Sequence, residues 1–178
     1  MKYIVTATLF LLLTAMSCKK NKVAEDQLPP ITQTGANTFG CLINGNVYIA
    51  KGYNGTGTPN PKIQFDIGLN GLPYLSIDAK QLNKEHISEG QVFVAIANIS
   101  GTGTYTYPSS FNFSVGWNKY IANCGMLAFD TTIKQWGEAN ITKYDLTNHI
   151  ISGTFNFKYK TQTCDTIRVT DGRFDFKF

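Results

Sequence analysis

The chain has 178 residues, a formal net charge of +4, 13% aromatic and 16% charged residues. The charged fraction lies well below the roughly 25% of ordinary globular domains, and the aromatics are plentiful, which excludes an intrinsically disordered chain. The length suits one domain with a terminal appendage and is sufficient to bury a substantial core.

The N-terminus carries the first signal. Lys2 supplies a basic start, Ile4 to Leu13 an apolar run interrupted by Thr6 and Thr8, and Ala15, Met16 and Ser17 lead into Cys18. Lys19, Lys20, Asn21 and Lys22 then turn abruptly polar. This is the layout of a secretory signal peptide over residues 1–17. The apolar run is about half of the ~20 residues that span a bilayer, so a transmembrane helix is not expected. A cysteine at the junction resembles a bacterial lipoprotein signal, in which that cysteine is lipidated after cleavage. Ala15 stands where such signals usually carry Leu. The implied location is the bacterial envelope, on the outer membrane, with the membrane held through a lipid on Cys18.

Residues 18–37 are polar, contain Pro29-Pro30 and show no hydrophobic period, which predicts a flexible tether ahead of a single domain over 38–178. Phe39 to Ala50 is a hairpin around Asn44-Gly45-Asn46, because Asn and Gly accept the positive φ of tight turns. A three-residue loop would place Phe39, Cys41 and Ile43 on one apolar face with Val47 and Ile49, and is the expected register. Lys51 to Pro61 reads as a loop. Ile63, Phe65 and Ile67 alternate with polar residues as a half-buried strand, and Asn70-Gly71 turns into a strand from Tyr74 to Ile77. Asp78 to His86 has helix-forming composition without an apolar stripe, hence a short helical turn or an extended connection. Gln91 to Ile99 is apolar on both faces and should lie centrally or be covered by a loop.

Ser100 to Tyr107 reads as a turn, Phe111 to Val115 as a strand, and Asn123-Cys124-Gly125 as a turn. Asp130 to Glu138 reads as a link and Ile141 to Tyr144 as a short strand. In His149 to Tyr159, Ile151, Gly153, Phe155, Phe157 and Tyr159 share a face. Ile167 and Val169 continue on odd numbers, whereas Phe174, Phe176 and Phe178 are even. A period-2 strand changes phase only by gaining a residue, so a bulge is expected at Asp171-Gly172, with Phe178 packed at the end. About ten short strands with tight turns predict an all-β antiparallel two-sheet sandwich, with a closed meander β-barrel as the alternative.

The charge localises. Lys2, Lys19, Lys20, Lys22, Glu25 and Asp26 precede the domain, and from Thr38 onward about 12 basic and about 10 acidic residues remain. They follow no basic stripe along the sequence, so no nucleic-acid partner is expected. With Cys18 committed to lipid, Cys41, Cys124 and Cys164 share the domain. Cys124 and Cys164 both fall in expected turns. A bond between them would close a loop of about 40 residues and contribute on the order of 3–4 kcal/mol, leaving Cys41 as a buried free thiol. Pairing of Cys41 with either is the competing arrangement.

Three blocks carry a family resemblance: Leu28 to Gly45 (LPPITQTGANTFGCLING), Ile141 to Asp145 (ITKYD) with Ser152 to Phe155 (SGTF), and Val169 to Phe174 (VTDGRF). Together they make the chain resemble small lipoproteins of Bacteroidetes-type bacteria whose domain has no assigned function. The resemblance implies the lipid anchor and brings no catalytic residues. It also implies O-linked glycosylation at Thr131 and Thr166, which sit in the short Asp-Thr-Thr and Asp-Thr-Ile patterns such bacteria modify.

Catalytic and cofactor patterns are missing from the sequence: no His-Glu-x-x-His, no Gly-x-Ser-x-Gly, no phosphate-cradling glycine loop. His86 and His149 would make a metal or haem site only if the fold joined them. The acid pairs Glu85/Glu89 and Asp171/Asp175 would serve hydrolysis only if they flanked a common cleft. Asp171 is better explained by its turn and Asp175 by outward alternation. Tyr105, Tyr107, Trp117 and Tyr120, with Asn112, Asn118 and Lys119, form an aromatic, amide-rich segment suited to carbohydrate or peptide recognition. The plainer reading is that these rings cap the open end of the core. The sequence thus points to a non-enzymatic, lipid-anchored binding or accessory module for a glycan, peptide or protein partner. A small-ligand carrier or hydrolase in the same fold is the alternative.

Overall fold

The computed structural model describes residues 27–52, 58–85, 87–115, 134–160 and 166–178. They form ten strands and no helix, arranged in two antiparallel sheets that do not close into a barrel. The two-sheet sandwich is therefore the fold.

β1 (Thr38–Ile43) and β2 (Asn46–Ile49) make the hairpin. Its loop has two residues, because Ile43 pairs with Asn46 and Cys41 with Tyr48. Asn44 and Gly45 both hold positive φ (49° and 82°), as a type I′ turn requires. This corrects the three-residue register. Tyr48, rather than Val47 and Ile49, goes inside, and its hydroxyl is 2.8 Å from the Ala79 carbonyl and 3.1 Å from that of Gly90 on the opposite sheet. A tyrosine with an internal acceptor buries more area than either aliphatic neighbour, and that decides the register.

The smaller sheet holds β3 (Lys62–Ile67), β4 (Pro73–Leu82), β5 (Ser88–Ile96) and β7 (Phe111–Val115), in the order β3-β4-β5-β7. β4 continues into the stretch with helix-forming composition as far as Leu82, because pairing with β5 there outweighs local propensity. Leu75, Ile77, Ala79 and Gln81 keep one inward phase there.

The larger sheet runs β2-β1-β10-β9-β8-β6, adding β6 (Gly103–Thr106), β8 (Lys134–Asp145), β9 (Ile150–Lys160) and β10 (Thr166–Lys177). β6 arises inside the expected turn Ser100 to Tyr107. β8 begins well before the expected short strand, and its inward positions Gly137 and Ala139 explain why its pattern was hidden. A Cβ on Gly137 would sit 2.5 Å from Phe113 Cε1. The missing side chain makes room for Phe113 and Phe157, whose rings stack at 4.3 Å.

The phase change in β10 occurs where expected. Its registers against both β1 and β9 shift around Asp171-Gly172, and Asp171 has φ 52°. Val169 on one side of the bulge and Phe174 and Phe176 on the other all enter the core. Phe178 is packed, with its ring 4.0 Å from that of Phe65 and its amide donating to the His149 carbonyl at 2.9 Å.

The tether expected over 18–37 is corrected for its second half. Residues 28–37 lie across the outer face of the larger sheet as a strap. Arg173 Nη1 donates to the Pro29 carbonyl at 3.2 Å, and the Lys177 amide donates to Asn37 Oδ1 at 3.2 Å. The anchor of the strap is Asp175, 1% exposed although it alternates outward. Its carboxylate accepts from Thr32 Oγ1 (2.6 Å), Gly35 N (2.8 Å), Thr34 N (3.0 Å), Ala36 N (3.2 Å) and Ser152 Oγ (2.7 Å). A hydropathy pattern sees residues 28–37 as polar and unperiodic, but one acceptor with several lone pairs captures their backbone donors.

Candidate functional site

The outer face of the larger sheet carries the site. β8, β9 and β10 place alternate residues outward, and their registers set two rows across the sheet. Lys134 lies opposite Lys160, and Lys160 opposite Thr166. In the next row Trp136 lies opposite Lys158, and Lys158 opposite Arg168. These side chains, with Gln135 and Tyr159, line a shallow groove of about 360 Å³ in which none of the described lining residues is acidic.

Among the described lining residues no carboxylate neutralises these charges. Among the described residues, ion pairs join Lys80 to Asp78 and Lys143 to Asp145, and neither reaches the groove. Glu138, the next outward residue of β8, is engaged by Asn156 Nδ2 at 3.2 Å. Lys134 faces Lys160 and Lys158 faces Arg168, and like charges directly opposite destabilise a sheet. Lys158 Nζ stands 5.7 Å from the centre of the Trp136 ring, a cation–π distance. Trp136 is nevertheless 45% exposed, so much of its indole stays open to a ligand. The arrangement offers a flat apolar surface with four surrounding positive donors, which can bind and orient an anionic or hydroxyl-rich molecule.

Sequence reasoning missed this cluster. Its cations are scattered over residues 134–168, Lys134 and Trp136 sat in an expected link, and only three-strand register aligns them. A correctly extended β8 was the one signal that would have exposed it. The expectation of no basic stripe holds along the sequence and is corrected in space.

The residues singled out earlier are placed as follows. Tyr105 turns inward, 8% exposed, with its hydroxyl donating to the Gly101 carbonyl (2.8 Å) and accepting from the Ser100 amide (3.1 Å). It is therefore corrected from a ligand-facing ring to a core ring. Tyr107 is half-buried with its ring 5.3 Å from Phe113, again against the core. Trp117, Asn118, Lys119, Tyr120, Cys124, Thr131 and Cys164 lie outside the described residues, as does His86. Thr166 is half-buried on the wall of the cationic groove. His149 rests its ring 5.7 Å from Phe178. Asp171 is exposed at the bulge, while Asp175 is consumed by the strap, so the two share no cleft. For Asp175, burial pushes the pKa up, but the hydroxyls of Thr32 and Ser152 and the amides of Thr34 and Gly35 outweigh it and hold the carboxyl at about 2.

Cys41 is a free thiol with no exposure, and burial drives its pKa upward, which suppresses the reactive thiolate. No group of three or more His, Cys, Asp or Glu side chains suited to a metal ion occurs among the described residues. No helix among them is long and apolar enough to cross a membrane. No protein-family model, curated protein or solved structure matches the chain.

Proposed function

We propose that this chain is a lipid-anchored, non-enzymatic binding module of the bacterial envelope that takes carbohydrate on the outer face of β8, β9 and β10. The observation that carries the binding reading is Trp136, left 45% exposed in a groove of donors. Exposed indole offers a flat apolar face to the C–H side of a sugar ring, while the neighbouring ammonium and guanidinium groups supply hydrogen bonds to its oxygens. The signal-like residues 1–17 and the junction at Cys18 support the envelope location.

Two measurements test this. The full chain applied to a glycan array should bind a defined subset of glycans, and Trp136→Ala should lose that binding while keeping the same melting curve. Binding that survives Trp136→Ala places the site elsewhere. For the anchor, expression in a lipoprotein-processing bacterium should leave the chain in the membrane fraction, and Cys18→Ala should release it. A Cys18→Ala protein that still partitions with membranes would remove the anchor.

A further inference from the structure

We infer that the ligand of the β8–β9–β10 groove is an acidic polysaccharide, a sugar chain bearing repeated carboxylate or sulfate groups; this rests on the carbohydrate reading of the groove. The argument is one of charge. Two like-charged pairs, Lys134 with Lys160 and Lys158 with Arg168, are held directly opposite each other. A neutral sugar leaves that repulsion in place, and a polyanion relieves it. Backbone spacing sets the stems of these side chains about 5 Å apart across the strands and about 7 Å along them. A chain with regularly repeated anionic groups can therefore meet several of them together. Arg168 adds a planar fork that suits a carboxylate or sulfate in bidentate fashion.

Single-stranded nucleic acid fits less well: its binders stack successive bases on several aromatic rings, and among the described lining residues Trp136 is the one outward ring, Tyr159 being turned inward.

The test is titration of the full chain with polygalacturonate and chondroitin sulfate, alongside dextran, poly-deoxythymidylate and phosphatidylglycerol vesicles. The expected result is binding to at least one acidic polysaccharide that weakens tenfold or more between 50 and 200 mM salt, as counterion release predicts. Lys158→Gln with Arg168→Gln should weaken it at least tenfold and flatten the salt dependence, and Trp136→Ala should weaken it at low and high salt alike. Circular dichroism should match the parent in each variant, and none should melt below it. Binding to dextran in place of the acidic chains, lost in Trp136→Ala, overturns the acidic assignment and leaves the carbohydrate reading standing. Equal or tighter binding to poly-deoxythymidylate or to the vesicles overturns the acidic assignment in favour of that partner. Binding to none of the five overturns the acidic assignment, and an empty glycan array overturns the carbohydrate reading with it.

Discussion

The outer face of the larger sheet has two ends, and they treat charge in opposite ways. Near the end of β10, Asp175 is covered by the chain's own residues 32–36 and its carboxylate is satisfied by five close donors. Near its start, Lys158, Lys160, Arg168 and Lys134 gather around Trp136 with no carboxylate among the described lining residues. A satisfied buried charge is spent on holding the fold, because each of its acceptor sites is already filled. An unsatisfied exposed cluster contributes repulsion and retains its capacity for an external partner. The outer face of one sheet thus commits one charge to the fold and leaves others exposed.

The largest effect should come from breaking the closed end. Asp175→Ala leaves the Ser152 hydroxyl and the Gly35 and Ala36 amides without their acceptor, and should cost about 3 kcal/mol in urea unfolding. Limited proteolysis should then cut within residues 28–37, where the parent resists.

Acid attacks the same contact more gently. Asp175 is held at about 2 in the folded chain, below the about 3.9 of an unfolded aspartate. A depressed carboxyl contributes stability that is present above the unfolded value and lost as pH falls toward the folded one. The loss should therefore run from about pH 4 down to about pH 2 and amount to about 2 kcal/mol. Asp145, also held at about 2 by Asn148 and Lys143, acts in the same direction. Asp175→Ala should show a shallower acid limb than the parent when unfolding midpoints are compared across this range.

The open end should respond in the other sense. Lys158→Gln with Arg168→Gln removes a facing like-charge pair and should raise stability by about 0.5 kcal/mol at low salt, with the gain vanishing at high salt. A destabilised double variant would mean that these cations support the sheet, and the contrast between the two ends would fail.

Beneath that open end two buried hydroxyls differ. The Tyr159 hydroxyl has no hydrogen-bond partner among the described residues, so Tyr159→Phe should not lower stability. Tyr48→Phe, which loses an inter-sheet hydrogen bond, should lower it by about 1 kcal/mol. Thermal melts of the two variants side by side read the difference.

Much of the architecture was legible in residue alternation. The inward face of β9, the bulge at Asp171-Gly172 and the packed Phe178 follow from the period of two, because those strands bury one face of large aromatics and aliphatics. Legibility failed where the buried face is made of small or polar residues. Gly137 and Ala139 hid β8, Ala79 and Gln81 hid the second half of β4, and Tyr48 was passed over for Val47 and Ile49. The candidate site was illegible for a related reason. Its residues are individually unremarked surface cations, and Trp136 sat in a stretch with no visible pattern.

By itself the sequence determined the fold class, the hairpin and bulge positions, the inward placement of Cys41 and the signal-like start at residues 1–17. These depend on local turn chemistry and on alternation within one strand, which a linear reading contains. Only the tertiary structure decided that residues 28–37 are a strap, that Tyr105 is a core ring, and that four cations share a groove with Trp136. Each of those depends on which strands are neighbours and in what register. Strand register is set by the sum of side-chain packing across both sheets, a long-range quantity that no single stretch of chain encodes.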